Sequence, residues 1–235
     1  MASRVLGRAE SRRIDQRAMR QYGMGGLVLM ENAGRGVADR LCQLVAGDPF
    51  ATGKASQRIV ICCGKGNNAG DGFVIARHLD LRGFGVRVLL WAEPGELTGD
   101  AAVNFRILEK TDVPIEVFGG RHDAERLDRH LAGAAWIVDA LLGTGARGEP
   151  RPPLGAVIDQ LNAAPSPILA VDLPSGLDCD TGEPAQHTIR AAVTCTFVAL
   201  KAGFLAPGAG QYSGQVHVLD IGAPRKLVDE ILAER

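Results

Sequence analysis

The chain has 235 residues, of which 46% are hydrophobic and 23% charged, and its formal net charge is −1. This balance lacks the clustered basic face that nucleic-acid binding requires, and no apolar run approaches the roughly 20 residues of a membrane span. Length and apolar content predict one α/β domain over residues 1–235, with no contact to nucleic acid or membrane.

The N-terminal segment, residues 1–50, is predicted to form two helices. Apolar residues of the second recur near a 3.6-residue period, and Gly34 indicates close packing of this helix, either inside the molecule or at a dimer interface. We expect a homodimer. Glu31 and Asn32 interrupt the apolar stretch and face either solvent or a site. The arginines of the first helix, with Asp15 among them, predict a solvated face.

The N-terminus and the cysteines predict a cytoplasmic protein. No apolar signal core follows Met1, and the cysteine count of five is odd. Cys62, Cys63 and Cys195 lie inside apolar strand patterns, which is typical of reduced core thiols.

Between residues 58 and 221, β-type and α-type segments alternate. The predicted strands are Arg58–Cys63, Val86–Trp91, Ile115–Phe118, Trp136–Leu141, Ile168–Leu173, Ala192–Val198 and Gln215–Ile221. The predicted helices are Asp71–Arg82, Gly99–Lys110, Asp123–Ala132, Pro153–Ala163 and a last one at Pro224–Ala233, within a C-terminal segment 223–235. This alternation predicts a Rossmann-like three-layer αβα sandwich with a mostly parallel sheet, preceded by the N-terminal helical pair. No long helix separates the last two strands, so we expect part of the sheet edge to be antiparallel.

Polar residues follow three of these strands. Ligands of such a sheet bind at the carboxyl ends of the strands, where the strand order reverses. Asp139 and Asp172 each follow an apolar strand, where an ionised carboxylate is costly unless it is paired, hydrogen-bonded or metal-bound. Each aspartate could instead support a turn. Together with Asn68, which follows the first predicted core strand, they favour a site.

A cation site is the first hypothesis for these residues. Asn68, Asp139 and Ser175 offer hard oxygen ligands and no soft ligand. Because only one of the three is anionic, the set suits a monovalent ion better than magnesium or calcium.

Two glycine-rich stretches predict contacts to an anion. Residues 64–72 lie between a strand and a helix, the layout that points backbone N–H groups at a phosphate. Gly143–Gly148 resembles a second phosphate cradle with Thr144 and Arg147, although a solvent loop is the alternative. Lys201 follows another apolar strand and is either a site cation or a surface lysine.

A dinucleotide-dependent dehydrogenase is a weaker alternative. Gly64, Gly66 and Ala69 satisfy the dinucleotide fingerprint, and Glu93 follows the next strand. Against it, Asp71 would place a carboxylate beside the pyrophosphate, and a long helical segment precedes the fingerprint strand.

The motifs taken together match a known family. The chain resembles the YjeF N-terminal domain family, whose enzymes are NAD(P)H-hydrate (NAD(P)HX) epimerases. The matching motifs are Leu29-Met30-Glu31-Asn32-Ala33-Gly34, Gly66-Asn67-Asn68-Ala69-Gly70-Asp71-Gly72 with Ala76-Arg77-His78-Leu79, Val138-Asp139-Ala140-Leu141-Leu142-Gly143-Thr144-Gly145, Val171-Asp172-Leu173-Pro174-Ser175-Gly176-Leu177-Asp178, and the tail Lys201-Ala202-Gly203 through Gly214-Gln215-Val216 to Asp220-Ile221-Gly222.

The resemblance implies an isomerase that interconverts the R and S forms of NADHX and NADPHX. It also implies bound potassium (K+) on Asn68, Asp139 and Ser175. We assign the role of catalytic acid/base to Asp172, because it is a carboxylate at a strand end within the matched pocket. The substrate-binding residues that the resemblance implies are Asn67, Asn68, Ala69, Gly70, Asp71, Gly143, Thr144, Gly145, Ala146, Arg147, Gly148, Glu149 and Asp172. Two positions depart from the family: Ala69 stands where many members have glycine, and Arg147 where lysine is expected of others.

The resemblance also implies a partner. A separate NAD(P)HX dehydratase acts on the S form, and since this chain ends at Arg235 we expect it to supply the epimerase alone. The main alternative is a non-catalytic nucleotide-binding or scaffold module of the same fold. Joint presence of Asn68, Asp139, Asp172 and Ser175 favours the enzyme.

Overall fold

The computed structural model of the chain describes residues 4–46 and 57–234. Predictions that fall on residues 1–3, 47–56 and 235 lie outside the described residues. The elements in chain order are β1 (Val5–Leu6), α1 (Arg8–Tyr22), α2 (Gly26–Ala46), β2 (Arg58–Cys63), α3 (Asn67–Leu81), β3 (Gly85–Leu90), α4 (Gly99–Leu108), β4 (Ile115–Val117), α5 (Ala124–Leu131), β5 (Ala134–Ala140), α6 (Leu154–Ala163), β6 (Ile168–Val171), β7 (Val193–Phe197), β8 (Leu200–Lys201), α7 (Gly210–Ser213), β9 (Gln215–Leu219) and α8 (Arg225–Ala233).

Seven strands form one sheet in the order β4-β3-β2-β5-β6-β7-β9. Every neighbouring pair is parallel, which confirms the predicted Rossmann-like sandwich. The expected antiparallel edge is wrong: β9 runs parallel to β7. A parallel crossover takes about a dozen residues or more, and the connection over residues 198–214, which contains β8 and α7, is long enough for one.

Helices cover both faces of the sheet. On one face α2, α3 and α4 bury apolar side chains such as Leu41, Phe73 and Phe105, and on the other α5 and α6 bury Leu127 and Ile158. A sheet that is apolar on both sides reads as continuous hydrophobic runs, which is why the strands could be located in the sequence. The strand order reverses between β2 and β5, so the crevice at their carboxyl ends is the expected ligand position.

The second helix packs inside the molecule through its glycine face. A Cβ atom on Gly34 would lie 2.5 Å from the Cβ of Val74 in α3, so the two helices approach as closely as glycine permits. Glu31 pairs with Arg77 and with Nε2 of His78 (2.7 Å), and Asn32 donates to the carbonyl of Ile221 (2.9 Å). The prediction that Glu31 and Asn32 face either solvent or a site does not describe them. Each of the two side chains joins α2 to a neighbouring segment.

The N-terminal helix joins the body of the protein at two places. Strand β1 pairs with β8, with Leu6 opposite Lys201. Ile14 on α1 lies in a core cluster shared with α8. The predicted solvated face of α1 is confirmed at Arg12 and Arg20, which are exposed, and the partly exposed Arg13 and Arg17 also form ion pairs with Glu234.

Over the ranges 4–46 and 57–234, none of the helices has the length and apolar character needed to cross a membrane. The predicted division of the chain into a helical segment, a core and a C-terminal helix stays a prediction.

Candidate functional site

The first glycine-rich stretch enters the helix earlier than predicted. Helix α3 begins at Asn67 rather than Asp71, with Gly66 as its N-cap. Asn67–Asp71 therefore form the first turn of a helix and not a loop. The amides of Ala69 and Gly70 bond to the carbonyl of Gly66 at 3.0 and 3.3 Å. Ala69 is fully buried in ordinary helical backbone, so alanine costs no backbone strain there.

The three predicted cation ligands meet around the backbone of Leu142. Nδ2 of Asn68 donates to the carbonyl of Leu142 (2.9 Å), and the amide of Leu142 donates to Oγ of Ser175 (2.9 Å). The Ser175 hydroxyl donates to Oδ1 of Asp139 (2.6 Å), and the Ser175 amide to its Oδ2 (2.8 Å). Residues that follow β2, β5 and β6 are thereby linked across the point where the strand order reverses.

Asp139 is fully buried, and that burial raises its pKa to about 6 although bonds from Ser175 and the Leu141 amide oppose the rise. An uncompensated charge there is costly, and a nearby cation would offset it. Oδ1 of Asn68 has no hydrogen-bond partner within the described residues. The described ranges contain no cluster of three His, Cys, Asp or Glu side chains able to hold a metal. The oxygens of Asn68, Asp139 and Ser175 include a single carboxylate, and such a donor set suits a monovalent ion better than a divalent one.

Asp172 ends β6 in a left-handed backbone conformation, with φ of 64°. The strand stops at Val171, two residues before the predicted end, because a residue at positive φ cannot continue it. Oδ1 of Asp172 contacts Nζ of Lys201 (2.9 Å) and accepts from the hydroxyl of Thr196 (3.1 Å) and the amide of Phe197 (3.4 Å). Its Oδ2 has no partner within the described residues and is free to contact a substrate.

Lys201 is a buried site residue, and the alternative of a surface lysine is wrong. It is 2% exposed, and its Nζ bonds to Thr196 Oγ1 (2.9 Å) and the Phe197 carbonyl (3.0 Å) besides Asp172. The sequence signal that indicated it is the one used for the aspartates, a charged residue just past an apolar strand.

Two further carboxylates lie near Asp172. Asp71 is 9% exposed and has no hydrogen-bond partner among the described residues. Burial, together with the charges of Asp172 and Asp15, raises the pKa of Asp71 well above its ordinary value. Asp15 reaches solvent from α1, yet partial removal from water and the Asp172 carboxylate raise its pKa to about 6, against the opposing charge of Lys201. Sequence reasoning missed Asp15, since an acidic residue on a charged helix carries no distinguishing local signal.

The second glycine-rich stretch, Gly143–Glu149, follows β5 beside the first. Gly143 lies against Asn68, where an added Cβ would be 3.3 Å from the asparagine Cβ. The carboxylate of Glu149 accepts the Gln186 amide at 2.8 and 3.1 Å, so this side chain anchors the loop. Arg147 is exposed and forms no ion pair with any described residue, which leaves its guanidinium available to an anion. Thr144 and Ala146 are half-buried, and Gly145 and Gly148 are exposed.

The site therefore combines two acidic groups. Asp172 is an ion-paired carboxylate with one free oxygen, and Asp71 is a buried carboxyl whose pKa is raised. A carboxyl whose raised pKa favours its protonated form can donate a proton to a substrate from which a neighbouring carboxylate accepts one. The exposed Arg147 and the amino end of α3 add positive potential for an anionic group.

Comparison with protein families matches residues 26–203 to the model described as "YjeF-related protein N-terminus". An NAD(P)H-hydrate epimerase from Pirellula staleyi is 48% identical, and the alignment covers 97% of this chain and 96% of that protein. An NAD(P)H-hydrate epimerase from Rhodopirellula baltica is 43% identical over 92% of this chain and 84% of its own.

Longer relatives and one solved structure are also similar. A bifunctional NAD(P)H-hydrate repair enzyme from Moorella thermoacetica is 40% identical over 94% of this chain, which spans 41% of that enzyme. The crystal structure of the yeast protein YNL200c superposes with a TM-score of 0.81 at 26% identity, covering 97% of this chain and 93% of the yeast chain.

Proposed function

The chain belongs to the family of YjeF-related protein N-termini, and from that membership we propose that it is an NAD(P)H-hydrate epimerase, an isomerase of nicotinamide cofactor repair. The observation that carries the proposal is the similarity, over nearly its whole length, to proteins named for this activity. The site geometry supports it, because the residues expected to bind substrate and cation come together at the carboxyl ends of β2, β5 and β6.

The reaction needs proton transfer at one oxygen atom. C6 of the hydrated nicotinamide carries a hydroxyl and is bonded to the ring nitrogen, and its inversion requires a planar carbon. Ring opening to an aldehyde removes the hydroxyl proton while the C6–N bond breaks, and the ring nitrogen, which keeps the bonding electrons, takes up a proton. Loss of water to an iminium adds a proton to the hydroxyl while the C6–O bond breaks. Both routes then run in reverse on the other face, and both need a positioned acid/base.

We assign that role to Asp172. Its Oδ1 is held by Lys201 and Thr196, which leaves Oδ2 as the oxygen that exchanges a proton with the C6 hydroxyl. Asp71 is the second proton carrier, because its burial near the Asp172 charge favours the protonated form. One group accepts a proton while the other holds one, so no proton needs to enter from solvent between the two halves of the reaction.

Potassium is proposed as the ion held by Asn68, Asp139 and Ser175. When bound, it would supply positive charge beside the buried carboxylate and hold the first turn of α3 and the loop Gly143–Glu149 at their present spacing. The arrangement of the Leu142 backbone between these side chains supports this assignment. The substrate itself is proposed to lie along Asn67–Asp71 and Gly143–Glu149, with Arg147 facing its phosphates.

The partner proposed for this chain is a dehydratase that consumes the S form. Support comes from relatives named as bifunctional repair enzymes, in which this chain spans about 40% of the length. The cytoplasm remains the proposed compartment, and the buried thiols of Cys62, Cys63, Cys179 and Cys195 fit a reducing environment. The homodimer also remains a proposal, and the glycine face of α2 does not support it, because Gly34 packs against α3.

The test is a coupled assay on purified protein with R-NADPHX and an S-specific dehydratase, in potassium or sodium buffer. We expect cofactor recovery faster than the spontaneous epimerisation that limits the dehydratase alone, and a higher rate in potassium. No acceleration over the spontaneous rate in either buffer would exclude the enzyme and favour the non-catalytic module.

The variant D172N tests the assigned acid/base. Asparagine tolerates positive φ and keeps the shape of the side chain, so folding should be retained. We expect kcat to fall about 100-fold or more, the range that a general acid/base contributes, with substrate affinity nearly unchanged by calorimetry. D80N, on the exposed part of α3, is the control. A kcat within threefold of the D80N value would remove Asp172 from the mechanism.

A further inference from the structure

Arg8, the first residue of α1, is an arginine buried among polar partners. Its side chain is 7% exposed, and its guanidinium donates to Asp178 Oδ2 (2.7 Å), to Asp180 Oδ2 (3.4 Å) and to the carbonyl of Ala146. Its backbone amide donates to Asp180 Oδ1 (2.7 Å). Planar guanidinium groups suit such multiple contacts, which a point-charge ammonium cannot reproduce.

One side of this cluster is a rigid turn. Oδ1 of Asp178 accepts the amides of Asp180 (2.9 Å) and Thr181 (3.0 Å), which closes the turn around its carboxylate. Burial alone would raise the pKa of Asp178, but these amides and the Arg8 charge hold it below its ordinary value. Arg8 is therefore bound to an anionic carboxylate that its own turn holds in place. This turn follows β6 and Asp172 in the chain.

The other side of the cluster is the candidate substrate loop Gly143–Glu149. Three of its seven residues are glycine, and Gly148 adopts a φ of 66° that other residues rarely take. Between its ends, which contact Asn68 and Gln186, the Ala146 carbonyl is held by Arg8. A free glycine-rich loop would have to be ordered when a ligand binds, at a cost in affinity.

We propose that Arg8 is a positioning residue of the substrate site, which holds the loop Gly143–Glu149 in the conformation that receives the anionic dinucleotide. It touches no reacting atom. Its side chain transmits the fixed position of the Asp178 turn to the Ala146 carbonyl, next to the exposed Arg147. Assigning this loop to the dinucleotide rests on the proposed function, whereas the ordering of the loop by Arg8 does not.

Hydrogen exchange tests the ordering without any substrate. The variants are R8Q, R8K and the control R13Q, which removes an ion-paired arginine from the same helix but away from the loop. In R8Q we expect amides of residues 143–149 to exchange about tenfold faster than in the wild type, with smaller acceleration in R8K. Amides of α3 should be unchanged, and R13Q should match the wild type throughout.

Kinetics in the coupled assay test the consequence for the substrate. R8Q should raise KM about tenfold with kcat within twofold, because a loop that must be ordered on binding weakens substrate and transition state alike. R8K should fall between R8Q and the wild type. If Arg8 contributed only to global stability, R8Q would have a lower melting temperature, but its KM would be unchanged at assay temperatures well below that melting temperature.

The outcomes separate the two proposals. A wild-type protein without epimerase activity overturns the proposed function, and the exchange rates still decide whether Arg8 orders the loop. An active wild type with R8Q equal to R13Q in either exchange or KM overturns the role of Arg8. If R8Q does not fold, R8K decides by the same two measurements, since it keeps the positive charge.

Discussion

Asp15 lies in surroundings that disfavour its negative charge. Its pKa rises from 3.8 to about 6, so its contribution to stability is fully present below pH 3.8 and is lost as the pH rises through 6. The full shift corresponds to about 3 kcal/mol, which solvent screening of an exposed group reduces to roughly 1 kcal/mol.

We expect D15N to be more stable than the wild type by roughly 1 kcal/mol at pH 8, and by almost nothing near pH 3, where Asp15 is mostly protonated in both the folded and the unfolded state. Urea unfolding at the two pH values measures the difference. D80N should change stability equally at both. A D15N effect on stability that is independent of pH would show that burial and the Asp172 carboxylate do not raise the pKa of Asp15.

The buried pair of Lys201 and Asp172 is a second test at the level of residues. K201M leaves the Asp172 carboxylate without its counter-ion, and breaking one side of a buried pair costs about 3 kcal/mol. Adding D172N removes the stranded charge, so the double variant should regain at least about 1 kcal/mol relative to K201M. The free energy of unfolding of the two single variants and the double variant measures this coupling. Strictly additive losses would mean that the two groups do not depend on each other.

The site residues divide by how their position is determined. Asp172 and Asn68 could be predicted because each follows an apolar strand, and Asp139 because it interrupts one near its carboxyl end. The carboxyl ends of parallel strands necessarily lie together. Asp15 and Arg8 could not be predicted, since their position depends on how α1 docks, which no local pattern encodes. The potassium site and the individual substrate contacts stay predictions.

Helices α2 and α3 pack closely against each other because Gly34 has no side chain. In G34A the new methyl group would lie 2.5 Å from Val74 Cβ and 3.0 Å from the Asp71 carbonyl, so α3 must shift at the turn that carries the site. We expect a loss of about 2 kcal/mol in unfolding free energy. G25A, where nothing lies within 4 Å of the new methyl group, is the matched control. Equal melting temperatures for the two variants would contradict the close approach.

The elements show where pattern reasoning ends. Strand β2 has its predicted bounds, Arg58–Cys63, because an apolar run between polar flanks marks both ends. Strand β6 stops before its predicted end because Asp172 has a left-handed backbone, and nothing in the local sequence indicates this conformation. Strands β1 and β8 were missed, since two residues are too few to show a period.

At the scale of the whole molecule, the matched family region leaves out part of the buried core. It starts at residue 26, whereas Leu6 and Ile14 are buried in a core cluster with α8. A chain that begins at Gly26 would lose these two side chains, worth roughly 2 kcal/mol each, out of a stability that for most domains is about 5–15 kcal/mol. We expect it to melt far below the full chain or to aggregate, as seen by circular dichroism and size-exclusion chromatography.

The control for this truncation is the double variant R13Q/R17Q, which removes the ion pairs between α1 and Glu234 but keeps the apolar packing. Exposed pairs contribute little, so it should lose less than about 1 kcal/mol. A truncated chain as stable as the full chain would show that α1 is dispensable. The α/β class itself was predictable at this scale, because alternating apolar strands and helices leave few arrangements of the sheet.

The positive φ of Asp172 also limits how this protein can evolve. Aspartate, asparagine and glycine are the residues that adopt such a backbone at low cost. A drift to glutamate, the obvious chemical substitute, would strain the chain, whereas asparagine and glycine are each one nucleotide change away and fit it. Every inexpensive replacement at this position therefore keeps the fold and removes the carboxylate. On the proposed mechanism, a single mutation would turn this enzyme into a stable, catalytically silent binding protein, with no easy intermediate that retains part of the activity.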